Sequence, residues 1–213
     1  MKNKLVFLTG VLAIVLTGCN SASSNMSAPE QTSAAGSEVS ATGEASTANV
    51  QNHSEMVVSV TDETFDTGYA NCLKDYFTAL DQKDFEGYKK TVYPAYQEVY
   101  DEFLKKDGSD IEKAFYEMRG QFDEDGYDSW YFSQLDMDYC ENEDIDNFFD
   151  MYQQAGIFDE AFEEQCRKDA VEMRDIQFSL YAMYSGDKEA TLVVPGGEII
   201  VMKDSNGNYY LFG

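Results

Sequence analysis

Apolar positions in the first half of the folded part of the chain recur at helical spacing, and those in the last quarter alternate. Phe65, Tyr69, Cys72, Leu73, Tyr76, Phe77 and Leu80 fall on one stripe, which predicts a helix opened by a cap at Thr61 or Asp62. Residues 81–84 (Asp-Gln-Lys-Asp) break it. Phe85, Tyr88 and Val92 begin a second helix that Pro94 ends or restarts. Tyr96, Val99, Tyr100 and Phe103 share one face of a third helix over 95–106, closed by Gly108. Ser109-Asp110-Ile111-Glu112 has the spacing of a capping box and predicts a fourth helix through about Phe122, with Ile111, Phe115, Met118 and Phe122 inward. Asp123-Glu124-Asp125-Gly126 stops it.

Trp130, Phe132, Leu135, Met137 and Tyr139 read as an extended segment running to Cys140. Acidic residues 141–146 then cap a helical pair divided at Gly156, with Phe148, Phe149, Tyr152, Phe158 and Phe162 on the buried side. From about Arg174 the period changes to two: Ile176, Phe178, Leu180, Ala182 and Tyr184 point one way. Turns at 185–187, at Pro195-Gly196-Gly197 and at Asp204–Gly207 separate strands at 190–194, 198–202 and 209–212. A short lead-in strand is expected at 56–60. The predicted class is α+β: N-terminal helices packed on one face of a C-terminal antiparallel β-meander, with a helical insertion.

Ahead of this domain, Lys2 and Lys4 precede an apolar run from Leu5 to Leu16. The run falls short of the about 20 residues that span a bilayer, and its flanks are those of an export signal. Leu16-Thr17-Gly18-Cys19 resembles the lipobox of bacterial lipoproteins. That resemblance implies cleavage between Gly18 and Cys19, a diacylglyceryl group on the Cys19 thiol, and residence at the extracytoplasmic face of the cell membrane. An ordinary secretory signal with a chance cysteine is the alternative. Residues 20–55 are rich in Ser, Ala, Thr, Gly and Asn with no Lys or Arg, the composition of a flexible tether. The expected organisation is therefore a signal over 1–18, a lipid-anchored tether over 19–55 and an α+β domain over 56–213.

Charge narrows the partners. The 213-residue chain carries 15 Lys and Arg against 40 Asp and Glu. Loss of Lys2 and Lys4 with the signal takes the net charge from −25 to −27. Nucleic acid needs a basic patch, and anionic headgroups repel such a surface, so the lipid does the anchoring. Divalent cations and cationic surfaces suit it better. With 15 Tyr and 14 Phe there is ample material for a core.

Candidate chemistry is sparse. Asp136, Asp138, Glu141, Glu143, Asp144 and Asp146 are the densest acidic group. They suit Ca²⁺ in ligand type, yet they lack the glycine of an EF-hand loop and read better as a solvated face at a helix start. Asp204, Asn206 and Asn208 imitate a calcium loop but fit a hairpin turn. The only histidine, His53, lies in the tether, and there is no CxxC pair; neither a zinc site nor a serine triad is expected. Trp130 reads as core, with glycan stacking as the functional alternative. Cys72 lies on the first helix stripe and should be buried. If one disulfide forms, it joins Cys140 to Cys166 at the two ends of the helical excursion; three free thiols are the alternative.

Two stretches resemble the nuclear transport factor two-like superfamily, the α+β cone shared with ketosteroid isomerase. One is Tyr76-Phe77-x-x-Leu80-x-x-x-Asp84-Phe85 followed by Tyr93-Pro94. The other is Gly186-Asp187-x-x-Ala190-x-Leu192-x-Val194 with Lys203-Asp204 to Gly207 and Tyr209-Tyr210-Leu211. The helices at 95–122 and 142–168 are additions to that pattern. The resemblance implies a sheet curled against the long helix around a pocket, but fold does not fix function. The expectation is a non-enzymatic, membrane-anchored domain that binds a small ligand or an envelope protein, with no catalytic residue, cofactor or metal assigned. The alternatives are an isomerase-like enzyme, with a carboxylate base and a Tyr or protonated Asp donor in a dry pocket, and a structural accessory of an envelope complex.

The change of composition near Glu55 predicts that limited proteolysis trims the chain to a stable fragment beginning near Met56. A stable fragment that retains residues 25–50 is the result that contradicts a flexible tether.

Overall fold

The computed structural model describes residues 55–141 and 143–212. The lipobox and tether therefore lie outside the described residues. Within them the chain is an α+β domain of six helices and a five-stranded mixed sheet. The order is β1 (Val57–Val60), α1 (Thr67–Gln82), α2 (Phe85–Thr91), α3 (Pro94–Lys105), α4 (Ile111–Gly120), β2 (Trp130–Tyr139), α5 (Ile145–Gln154), α6 (Glu160–Asp169), β3 (Ala170–Tyr184), β4 (Thr191–Asp204) and β5 (Tyr209–Leu211). The sheet runs β1-β2-β3-β4-β5. β2 to β5 form the antiparallel run, α5 and α6 are the helical insertion within it, and β1 joins the edge parallel to β2.

Helix starts follow cap chemistry more closely than apolar spacing does. α1 begins at Thr67, not near Asp62, because the Asp66 carboxylate accepts from the Gly68 N–H. Asp62 instead accepts from Thr64 in a preceding turn. Asp84 caps α2, Pro94 takes the first position of α3, and Asp110, one residue past the expected Ser109, caps α4. Lys83 adopts φ 58° where α1 stops, which lets Asp84 open α2 at once.

The alternation of β3 defines two faces, one buried from Ile176 to Tyr184 and the other buried at Asp175. Ile176 and Phe178, opposite Tyr139 and Met137 of β2, face α1. There the Phe77 ring lies 5.8 Å from Phe132 and 5.2 Å from Phe178. Met173 and Asp175, opposite Met202 and Ile200, share the other face, where Phe212 packs 5.6 Å from Phe148 and 5.9 Å from Phe149 of α5. Helices thus cover both faces, not one as the sequence pattern predicts. Ile199, Ile200, Val201 and Met202 of β4 are all buried, and four consecutive buried residues in a strand need cover on both faces.

The expected turn at Pro195-Gly196-Gly197 is a second difference. β4 runs straight through it. Phe178 pairs with Gly197 and Leu180 with Val194, so β4 carries an extra residue at Pro195-Gly196, a β-bulge. Proline brings no N–H to lose from the ladder, Gly196 takes φ 70°, and its N–H donates to Ser179 Oγ. Gly197 is fixed by space: a Cβ there meets the Phe178 ring at 2.6 Å.

Because Phe178 is buried and cannot swing aside, Gly197→Ala should cost about 1–3 kcal/mol by overpacking. Gly120→Ala, with nothing within 4 Å, should gain up to about 1 kcal/mol in helix propensity. Urea melts of the two variants check both signs.

Candidate functional site

The residues singled out in the sequence are dispersed by the fold. Of the acidic group, Asp136 accepts from Gln134 and Asp138 from the Tyr139 N–H. Glu143 pairs with Arg174, Asp144 caps α5 and Asp146 pairs with Arg167. Each is engaged separately, as a helix start and a solvated rim require. Asp204 accepts from the N–H groups of Asn206 and Asn208, so this loop is the hairpin turn between β4 and β5. Trp130 is buried, donates its Nε1–H to Asp123 and lies under the Arg119 guanidinium at 3.7 Å. It is a core residue.

The three cysteines of the domain are free thiols, so the Cys140–Cys166 bridge is not made. Cys72 is buried on α1, where its Sγ approaches the Tyr209 carbonyl and burial pushes the thiol up to about 12. Cys166 is buried in α6 and also raised to about 12, chiefly by burial. Cys140, by contrast, is half-buried and hydrogen-bonds Asp175. Its local partner is a carboxylate, not a thiol.

That contact belongs to a cluster the sequence does not announce. Sheet register extends past Tyr139↔Ile176 to a bond from the Cys140 N–H to the Asp175 carbonyl. Asp175 lies opposite Ile200 on β4, and Glu198 sits one alternation back, opposite Gln177. Adjacent strands therefore bring Cys140, Asp175 and Glu198 to one face, and their thiol and carboxylate atoms all lie within 4.8 Å of one another. Asp175 is 7% exposed. Burial pushes its carboxyl up to about 6, with Glu198 and Glu143 adding to the shift and the Cys140 hydrogen bond opposing it. Oδ1 of Asp175 is buried without a hydrogen-bond partner. The nearby cation, Arg174, is occupied by Glu143, Glu172 and the Tyr139 ring. A buried carboxylate with an unfilled acceptor beside a thiol and a second carboxylate is a donor set for a cation.

The space between α1 and the sheet is filled. Tyr69, Leu73, Phe77, Leu135, Phe178 and Leu180 pack there with almost no exposure. An open surface concavity lies on α4, lined by Asp110, Glu112, Lys113, Tyr116 and Glu117. Comparison with protein-family models, curated proteins and solved structures gives no match.

Asp175 sets a pH dependence of stability whose sign is determined. Its folded-state value, about 6, lies above the ordinary 3.8, so the folded protein holds this proton more tightly than the unfolded chain. Its contribution is then most favourable below about pH 4 and falls as pH rises to about 6. Asp175→Asn removes that loss. In metal-free buffer the variant should match the parent near pH 4 and exceed it above pH 6 by about 2–3 kcal/mol. Denaturant melts across that range check it.

Proposed function

We propose that this chain is a bacterial lipoprotein held at the extracytoplasmic face of the cell membrane by lipid on Cys19. Its folded domain serves there as a non-enzymatic module that binds a ligand or an envelope partner. The observation that carries the anchoring is Leu16-Thr17-Gly18-Cys19 directly after a short apolar run with a basic start. A diacyl group gives stable attachment where a single chain does not. Among the described residues no helix is long and apolar enough to cross a membrane.

The filled interior supports binding over catalysis. The resemblance to nuclear transport factor two-like domains implies a pocket between the first helices and the sheet. An isomerase of that style works in a dry pocket between helix and sheet. Here Phe77, Phe132 and Phe178 occupy that space in edge and tilted ring contacts. The raised carboxyl, Asp175, lies across the sheet from them.

The anchor is tested by metabolic labelling with a fatty-acid probe in a bacterial host. The chain should be labelled and sediment with membranes, and Cys19→Ala should do neither. Equal labelling of the two would overturn the reading.

A further inference from the structure

We propose that Cys140, Asp175 and Glu198 form a binding site for one divalent transition-metal cation of the zinc class. This deepens the binding-module reading by naming a ligand, and it is independent of the anchor at Cys19.

Three observations carry it. First, the donors converge from the end of β2, from β3 and from β4, with every donor atom within 4.8 Å of the others. Donors on a shared zinc, at about 2.0–2.3 Å from the metal, sit roughly 3.6 Å apart at tetrahedral angles. The remaining closure is small. Glu198, the longest and least buried of the three carboxylate and thiol side chains, is suited to supply it. Second, Asp175 is more than nine-tenths buried, and its Oδ1 has no partner. The large majority of buried polar side-chain atoms are hydrogen-bonded, and a bound ion is one way to satisfy an exception. Third, acidic groups crowd this place. Asp175, Glu198 and Glu143 influence one another, whereas Arg174 is shared between Glu143 and Glu172. A divalent cation compensates this and draws the Cys140 proton off to solvent as the thiolate forms.

The donor chemistry selects the cation. Calcium takes six to eight hard oxygens, and a thiolate is a poor substitute for any of them. One sulfur and two carboxylates suit zinc, cobalt and their neighbours. Glu143, paired with Arg174 at 3.2 Å, adds to the negative potential felt by Asp175. The chain's net charge of −25 raises the local concentration of any divalent cation but does not discriminate among them.

The experiment is a Co²⁺ titration of the full chain in detergent, with excess Mg²⁺ to occupy diffuse surface sites and about 0.15 M NaCl, which screens charge beyond a Debye length of about 8 Å. One equivalent should bind and give a thiolate-to-cobalt charge-transfer absorption. Zn²⁺ should abolish the band, and Ca²⁺ should leave it. Cys140→Ser should lack the band. Asp175→Asn and Glu198→Gln should each weaken binding at least tenfold, the magnitude usual for losing a ligand or its close support. Cys19→Ala should bind as the parent does, so failure of the anchor and failure of the site are told apart. No band at millimolar Co²⁺, or a band that survives Cys140→Ser, overturns the proposal. Should a variant fold poorly, maleimide mapping of the parent decides: Zn²⁺ must protect Cys140, and undiminished modification of Cys140 overturns the site as surely.

Discussion

The double burial of β3 governs this domain. Fifteen residues long, it pairs with β2 on one side and β4 on the other, and at Asp175-Ile176, beside the four consecutive buried residues 199–202 of β4, both faces of the sheet are closed to water. One helix layer cannot satisfy that. α1 seals one face with Tyr69, Leu73 and Phe77, and α5 and α6 bring Phe149, Phe162 and Cys166 to the rest of the core. The insertion between β2 and β3 is thus part of the core, because without it Ile200, Met202 and Phe212 would lose their cover. The burial of Asp175 has the same cause. It stands on the face covered by the insertion, and the strand cannot turn it outward without turning Ile176 and Phe178 out of the α1 layer.

How much of this is legible in the sequence depends on how local the determining physics is. The stripe from Tyr69 to Leu80, Pro94 at a helix start, the divided pair around Gly156 and the Asp204–Gly207 turn are set by neighbours within a few residues, and each appears where its pattern puts it. Pro195-Gly196-Gly197 shows the limit. The same residues serve a turn or a bulge, and the choice is made by Phe178 on the facing strand, whose ring fills the space beside Gly197. The parallel pairing of β1 likewise depends on Gln134 to Met137, far along the chain. The Cys140–Asp175–Glu198 cluster belongs to this class. Its members are more than twenty residues apart, with no common motif, and only strand register brings them together. The dense run from Asp136 to Asp146 is conspicuous by composition and is dispersed into caps and ion pairs by the fold. Burial of a carboxylate beside a thiol and a second carboxylate, which composition does not report, distinguishes Asp175.

The acidity of the chain acts differently at the surface and inside. At the surface some carboxylates are paired with the few basic residues, as Glu86 with Lys89, Asp101 with Lys105 and Glu163 with Arg167, and others cap helices. Such exposed pairs contribute little individually, about 0–1 kcal/mol each. Inside, one carboxylate outweighs them, because desolvation is not shared with water. A domain with this excess of acid can place one in its interior only at an energetic cost, and here that cost falls beside a thiol.

The topology also orders the assembly of the molecule. β3 and β4 are joined by a short connection, Ser185 to Ala190, and can zip together early at little loop-closure cost. β2 must wait for the α5–α6 excursion to be spanned. β1 meets β2 only after four helices have been laid down between them, and it does so through four residue pairs along an open edge. The first strand in the chain is thus the last to find its place and the first to let go. A pull applied at residue 55 would load the Glu55–Lys74 ion pair and β1 before it reached the hydrogen bonds that hold β2, β3 and β4 together.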